Sequence, residues 1–297
     1  MGIGLALSAL TQGIAYSLMA LGVYITFRVL DFPDLSVDGS LPLGAAVSAR
    51  LITAGYNPFF TLIPALLAGG LAGAFTGILN TRLKIAPLLS GILTMTMLYS
   101  INLRVMDSPN IPLIGEATIF STAASALGLG SPWNELLILT AVVLAAKIAL
   151  DLFLKTQLGF ALRAAGDNPQ MIRSMGVSTD TMKMLGVSLA NALVALSGAL
   201  VGQYQGFADV GMGIGMIIAG LASVIIGEVI IGKRNIIITT LAVIFGSIVY
   251  RFSISLAMTL GFEASDLQLL TGILVILFMS MPRLKRYLRG ELDAAAK

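Results

Sequence analysis

The sequence predicts an all-α fold, a polytopic transmembrane bundle of about nine spans. Three observations lead there. Charged residues are only 11% of the 297 and apolar residues 57%, with a mean hydropathy of +0.94, whereas a water-soluble domain carries about a quarter charged residues. The charges are clumped, which leaves uncharged runs at 1–27, 51–81, 85–103, 184–208, 210–227, 235–250 and 267–282. A helix rising about 1.5 Å per residue needs about 20 residues to cross a hydrocarbon layer, and most of these runs reach or approach that length. Finally, with the N-terminus outside, fifteen of the eighteen Lys and Arg residues fall on the cytoplasmic side and only Arg50, Arg104 and Arg251 on the outer side. Basic residues are retained in cytoplasmic loops, so this bias also places the C-terminal tail inside the cell.

Taken in order, spans are expected at 5–27, 39–55, 59–80, 86–102, 134–154, 184–204, 213–231, 236–256 and 267–281. The first run has no basic flank, is too long for a leader's apolar region and shows no small-residue cleavage site, so it reads as a retained helix. The second span is short and contains Pro42 and Gly44. A broken helix leaves backbone groups free, which is tolerable only beside protein or a water-filled cavity. This segment, with Asp34, Ser36 and Asp38 ahead of it, is therefore placed on a translocation path. Gly69, Gly70, Gly73 and Gly77 form a small-residue stripe in the third span, a signal for close helix packing.

Two connections are long. The outer one, 104–133, holds Pro109, Pro112 and Pro132 around an uncharged stretch at 117–129 that reads either as a short interfacial helix or as an ordered loop. The inner one, 155–183, has a Gly166-Asp167-Asn168-Pro169 break, then Gln170 to Met175, then Gly176. Asn at a helix start, Pro at the first position and Gly past the end predict a short capped helix at 168–175. The alternatives are an ordinary polar loop and a cytoplasmic docking element.

Several kinds of chemistry are excluded. Cys and His are both absent, which removes disulfides, thiolate catalysis, haem, most zinc sites and Ser-His-Asp machinery. A net charge of +3 spread over short loops is no nucleic-acid footprint. The run Gly227 to Arg234 nearly matches a phosphate-binding loop, but Arg234 stands where a Ser or Thr hydroxyl is required and no strand precedes it. Lys233 and Arg234 read as orientation charges. No carboxylate falls at an expected span centre, where it would mark an ion or proton relay. Asp31 and the Lys147–Asp151 pair read as solvated helix ends, the pair four residues apart near the inner surface. Asn102, Asn191, Ser197, Gln203 and Gln205 lie within or at the ends of spans and either line a path or bond neighbouring helices, the commoner role. Phe32-Pro-Asp34-Leu35 is echoed by Phe207-Ala-Asp209-Val210, and Phe75 to Leu79 by Phe245 to Val249, at separations of 175 and 170 residues. Either chance or an inverted repeat with a path between its halves produces such an echo.

The segments Asp34-Leu-Ser-Val-Asp38-Gly-Ser40 and Leu158-Gly-Phe-Ala-Leu-Arg163-Ala-Ala-Gly166-Asp167-Asn168, continued to Met175-Gly176-Val177, resemble the permease family of ABC importers for branched-chain amino acids and sugars such as ribose. The resemblance runs from about Ala15 to Met281 and is nearest to the branch linked to amino-acid uptake, aromatic amino acids included. It departs from the family at Gly166–Asp167 and at the extra Asp38. It implies a permease domain over 1–281, a coupling loop at about 155–183 and a cytoplasmic tail at 282–297, in a bacterial inner membrane. It further implies two cytoplasmic ABC ATPase subunits that carry the ATP and magnesium, an extracellular binding protein and a second permease copy. The chain itself would bind no cofactor and hydrolyse nothing. Arg163, Gly166, Asp167, Asn168, Pro169, Gln170 and Gly176 would couple to the ATPase. Asp34, Ser36, Asp38, Asn191, Gln203 and Asp209 would lie along the path. The alternative is a secondary carrier driven by an ion gradient, which calls for a buried acidic residue. A membrane-embedded enzyme would need the missing His, Cys or a metal cluster.

Overall fold

The computed structural model describes residues 3–127, 130–232, 235–262 and 266–288. Helix α1 (Ile3–Tyr24) ends in a π-helical turn, Ile25–Val29. It is followed by α2 (Val37–Thr53), α3 (Leu62–Thr81) and α4 (Pro87–Met106), then by α5 (Ile119–Leu127) and α6 (Trp133–Lys155). Short helices α7 (Gln157–Asp167) and α8 (Pro169–Ser174) lead to α9 (Thr179–Gln205), α10 (Met216–Ile231), α11 (Ile236–Thr259) and α12 (Leu267–Leu288).

Each of the nine expected spans coincides with a helix, but only six described helices are both long and apolar enough to cross a membrane: α1, α3, α4, α6, α9 and α11. The apolar parts of α10 and α12 are shorter, and α2 has a proline inside it. The uncharged outer stretch is a helix, α5, with Ile119, Phe120 and Ala123 buried. Helix α12 runs unbroken past position 281. Lys233 and Arg234 lie outside the described residues.

Helices α1 and α9 form the centre, since most of their residues are buried inside the protein. Helix α9 packs against α1, α2 and α3, while α1 packs against α9, α10 and α11. Backbone meets backbone at these crossings: a Cβ on Gly44 would overlap the Ala195 carbonyl, and one on Gly198 the Leu41 carbonyl. Helices without a hydrophobic drive toward one another gain from such close contact, and only glycine permits it here. The glycine stripe behaves as expected, with Gly69, Gly73 and Gly77 of α3 set against α9.

One end of the bundle carries α7 and α8. The other carries an antiparallel ribbon of β1 (Asn110–Pro112) and β2 (Phe207–Asp209), with Ile111 opposite Ala208. Ala45, Ala49 and Ile52 of α2 pack with Met106, Ile111 and Ala208 in a small apolar cluster at that ribbon end.

One expectation needs correction. Lys147 and Asp151 do pair, but they are buried between helices, where Thr240 of α11 also donates to Asp151 at 2.7 Å. A buried ion pair is tolerable when further hydrogen bonds satisfy it, as Thr240 does here. Arg251, counted on the outer side, lies inside α11 as the expected span 236–256 has it, two turns before the helix end.

Candidate functional site

After the π-helical turn, the chain reverses and re-enters the bundle at residues 32–36 rather than leaving it. Phe32, Asp34 and Ser36 are all buried. The Asp34 carboxylate accepts the Ser36 amide at 2.9 Å, the Ser36 hydroxyl at 2.6 Å and the Asn191 side-chain amide at 2.8 Å. Asn191 also donates to the Val187 carbonyl at 3.0 Å. Among the described residues no Lys or Arg pairs with Asp34. Asn191 is twelve residues past Thr179 in the 27-residue α9, so it sits about 18 Å along the helix, near its middle. Asp34 thus falls outside every expected span centre in sequence and yet lies against the middle of α9. Sequence position gave the distance along the chain from a span, whereas re-entry sets the depth.

Asp38 extends the same feature. It lies in the first turn of α2, and its carboxylate accepts the backbone amides of Gly215 at 3.0 Å and Ile217 at 2.8 Å, which open α10. Helix α2 thus caps the N-terminus of α10 from 177 residues away. A helix start presents unsatisfied N–H groups and partial positive charge, so a carboxylate is the natural partner where water is excluded. Gly215 occupies the left-handed conformation, φ +78°, that this entry requires. Pro42 denies the Asp38 carbonyl its usual intrahelical donor, and Gly213 fits against that carbonyl and the proline ring, where a Cβ would overlap. Both short helices begin inside the bundle and point their N-termini at one another. Asn102 of α4 closes the side by donating to the Gly39 carbonyl at 3.1 Å, and its own carbonyl and the Ser40 hydroxyl are buried without partners.

The other residues expected on the path are elsewhere. Gln203 is twelve residues beyond Asn191 on α9, about 18 Å away. It accepts the Ile119 amide at 2.9 Å and donates to Ser48 at 3.0 Å, tying α9 to α5 and α2. Asp209 belongs to the ribbon, where it accepts the Gly211 amide at 2.8 Å and the Asn110 side-chain amide at 3.3 Å. So Asp34, Ser36 and Asn191 form one cluster with Asp38 next along the chain, and Gln203 and Asp209 belong to the ribbon end.

At the opposite end, the 155–183 segment is built as the local signals foretell. Thr156 caps α7 through Gly159 at 3.2 Å, and Asn168 caps α8 through Met171 at 3.0 Å, with Pro169 at the first position. Gly176, at φ +83°, ends the unit. Gly166 lies so close to Val29 that a Cβ would overlap its carbonyl, which fixes α7 to the end of α1. Arg173 donates to Thr179 at 2.8 Å, fixing α8 to the start of α9. Arg163 stacks on Phe160, 4.6 Å from the ring centre, and its Nε is buried without a partner. Asp167 and Gln170 are exposed.

Comparison with known proteins decides what this architecture belongs to. The family described as branched-chain amino acid transport system, permease component, matches residues 5–279. The chain belongs to this family. It is 47% identical over 274 residues to the tyrosine transport system permease protein of Clostridioides difficile, covering 92% of this chain and 90% of that one. It is 29% identical over 237 residues to the ribose import permease protein of Bacillus subtilis, covering 79% and 72%. Its fold resembles that of a solved ABC transporter of metal-chelate type in an inward-facing conformation, with TM-score 0.51, 16% identity, and coverage of 95% and 85%. The chain is accordingly a multi-pass membrane permease subunit of an ABC importer, and not an enzyme.

For this permease, sequence reasoning missed three features. Phe160, Met171 and Met175 are exposed on α7 and α8 and just beyond, and the helical pattern there could have found them as an apolar face. The Asp38 cap on α10 had no local signal. The Lys147–Asp151–Thr240 group had half of one, the spacing of four.

Proposed function

We propose that this permease is the membrane-spanning half of an ATP-driven importer for a small solute, an amino acid, aromatic ones included. All nine long helices enter the membrane, α2 and α10 as partial spans that meet in its interior. The N-terminus lies outside and the C-terminus in the cytoplasm of a bacterial inner membrane. Two copies form the pathway. Two cytoplasmic ATPase subunits bind ATP and magnesium, and an extracellular binding protein delivers the solute. The sequence kinship with a tyrosine transport permease supports the amino-acid reading.

The single observation that carries this reading is the α7–α8 unit. Its two helices are capped at their starts, and it is held to α1 through Gly166 and to α9 through Arg173, while Phe160, Met171 and Met175 face outward. An exposed apolar patch on a rigid mount is a docking element, and its two attachments lead into the helices that form the centre. Arg163 and Asp167 orient the unit; Asn168, Pro169 and Gly176 define α8; Gln170 faces the partner. At the other end of the chain of contacts, Asp34, Ser36, Asp38 and Asn191 sit where a moving α2 would open the path, with Gln203 and Asp209 at the outer mouth.

Two copies of a halved folding symmetry are supported as well. Helices α2, α3 and α4 pack on one another as α10, α11 and α12 do, and α9 lies on α2 and α3 as α1 lies on α10 and α11. That recurrence supports the inverted repeat suggested by the echoed Phe-x-Asp segments.

Deleting Gln170–Met175 is the test. It should abolish energised uptake and co-purification of the ATPase, with membrane insertion unchanged; normal uptake would refute the reading. A carrier would use a buried acid that binds and releases an ion; Asp34 is buried and Asp38 half-buried. Each is already engaged by two or three donors, which favours a structural role. Uptake that survives ATP depletion but collapses with an ionophore would reverse that preference.

A further inference from the structure

We propose that the cleft between α1 and α11 around Arg251 is a binding site for a carboxylate, that of the small solute which the permease handles. Arg251 is fifteen residues into α11 and eight short of its end, so it stands about 22 Å along the helix and about 12 Å from its terminus. An arginine inside a span is costly, and those that persist face a partner or an aqueous cavity. Here the guanidinium lies over the Tyr16 ring of α1, 3.8 Å from its centre. Its Nε is buried without an acceptor, and among the described residues no carboxylate pairs with it.

The space beside it is a cleft of about 540 Å³, lined by Ser8 and Gln12 from α1 and Ser255 from α11 as well as by apolar side chains. That volume is in the range of small-molecule sites. Its chemistry suits a zwitterion with an apolar body: one fixed cation for the carboxylate, hydroxyl and amide groups for the remainder, and apolar walls from Leu5, Ala9 and Ile254. A planar guanidinium binds a carboxylate through two parallel hydrogen bonds, and stacking on Tyr16 leaves its edge free to do so. A lipid phosphate offers the same oxyanion chemistry. The cleft runs on to Leu5 and Met258 near the ends of α1 and α11, so the experiment carries an arm that separates the two oxyanions.

The choice of solute rests on the import reading, but the experiment needs only this chain. The full-length permease in phosphatidylcholine nanodiscs is treated with phenylglyoxal, and adduct formation at Arg251 is followed by peptide mass spectrometry. L-Tyrosine and L-leucine should each slow the reaction at least threefold, while tyramine and isopentylamine, which lack the carboxylate, should not. A parallel arm adds phosphatidylglycerol. Slowing by phosphatidylglycerol alone would assign the cleft to lipid and overturn the proposal. So would equal slowing by the amines, no slowing by either acid, or an Arg251 that never reacts. Arg251→Lys should retain part of the tyrosine binding measured by equilibrium dialysis, and Arg251→Gln should lose at least tenfold. Failure to co-purify an ATPase would overturn the import reading and leave these results untouched.

Discussion

A carboxylate without a cation near the middle of a membrane bundle is held in place by donors, so its neighbours can be read as its solvent. Asp34 takes three hydrogen bonds from Ser36 and Asn191. Asp34→Ala removes the acceptor and leaves those donors buried and unmet, each such group costing about 1–3 kcal/mol. Thermal unfolding of the purified permease in detergent should show the loss as a lower midpoint, and an unchanged midpoint would mean that water reaches the site. Lys147→Met should cost about 3–5 kcal/mol, because Asp151 is then left as a buried uncompensated charge. The double variant Lys147→Met with Asp151→Leu should recover most of that stability in the same assay.

At the level of helices, local rules made much of the structure legible. The caps at Asn168 and Gly176 and the stripe on α3 depend on neighbours within a few residues, and they stand where the sequence puts them. Pro42 and Gly44 lead to the expectation of a broken helix, whereas α2 runs unbroken from Val37 to Thr53, and nothing nearby in the chain tells that its first turn caps α10, since that bond spans 177 residues. Nor does a count of charges reveal depth: Asp34 lies outside every apolar run and inside the protein. The α2–α9 crossing gives the sharpest prediction of this kind. Gly198→Val should prevent α2 from seating and lower the yield of folded permease, as judged by gel filtration, because its added carbons meet the Leu41 carbonyl. Gly4→Val, which meets nothing, should behave like the parent.

For the whole molecule, the sequence alone suffices to give the class, the helices and the family, and the sidedness it implies makes a direct prediction. The absence of cysteine makes the native chain its own labelling background. Single cysteines at Asn57 and Gly115 should react with an impermeant maleimide in intact cells, and ones at Gln170 and Lys84 only after the membrane is opened. The reverse pattern would invert the topology. The exchange of partners between α1 and α9 has a consequence for biogenesis. Ribosomes finish α1, α2 and α3 at least 98 residues before α9 begins, yet α3 keeps its glycine face for α9. The early helices must therefore wait in the bilayer, inserted but unassembled, and the permease closes up only when α9 arrives to receive them.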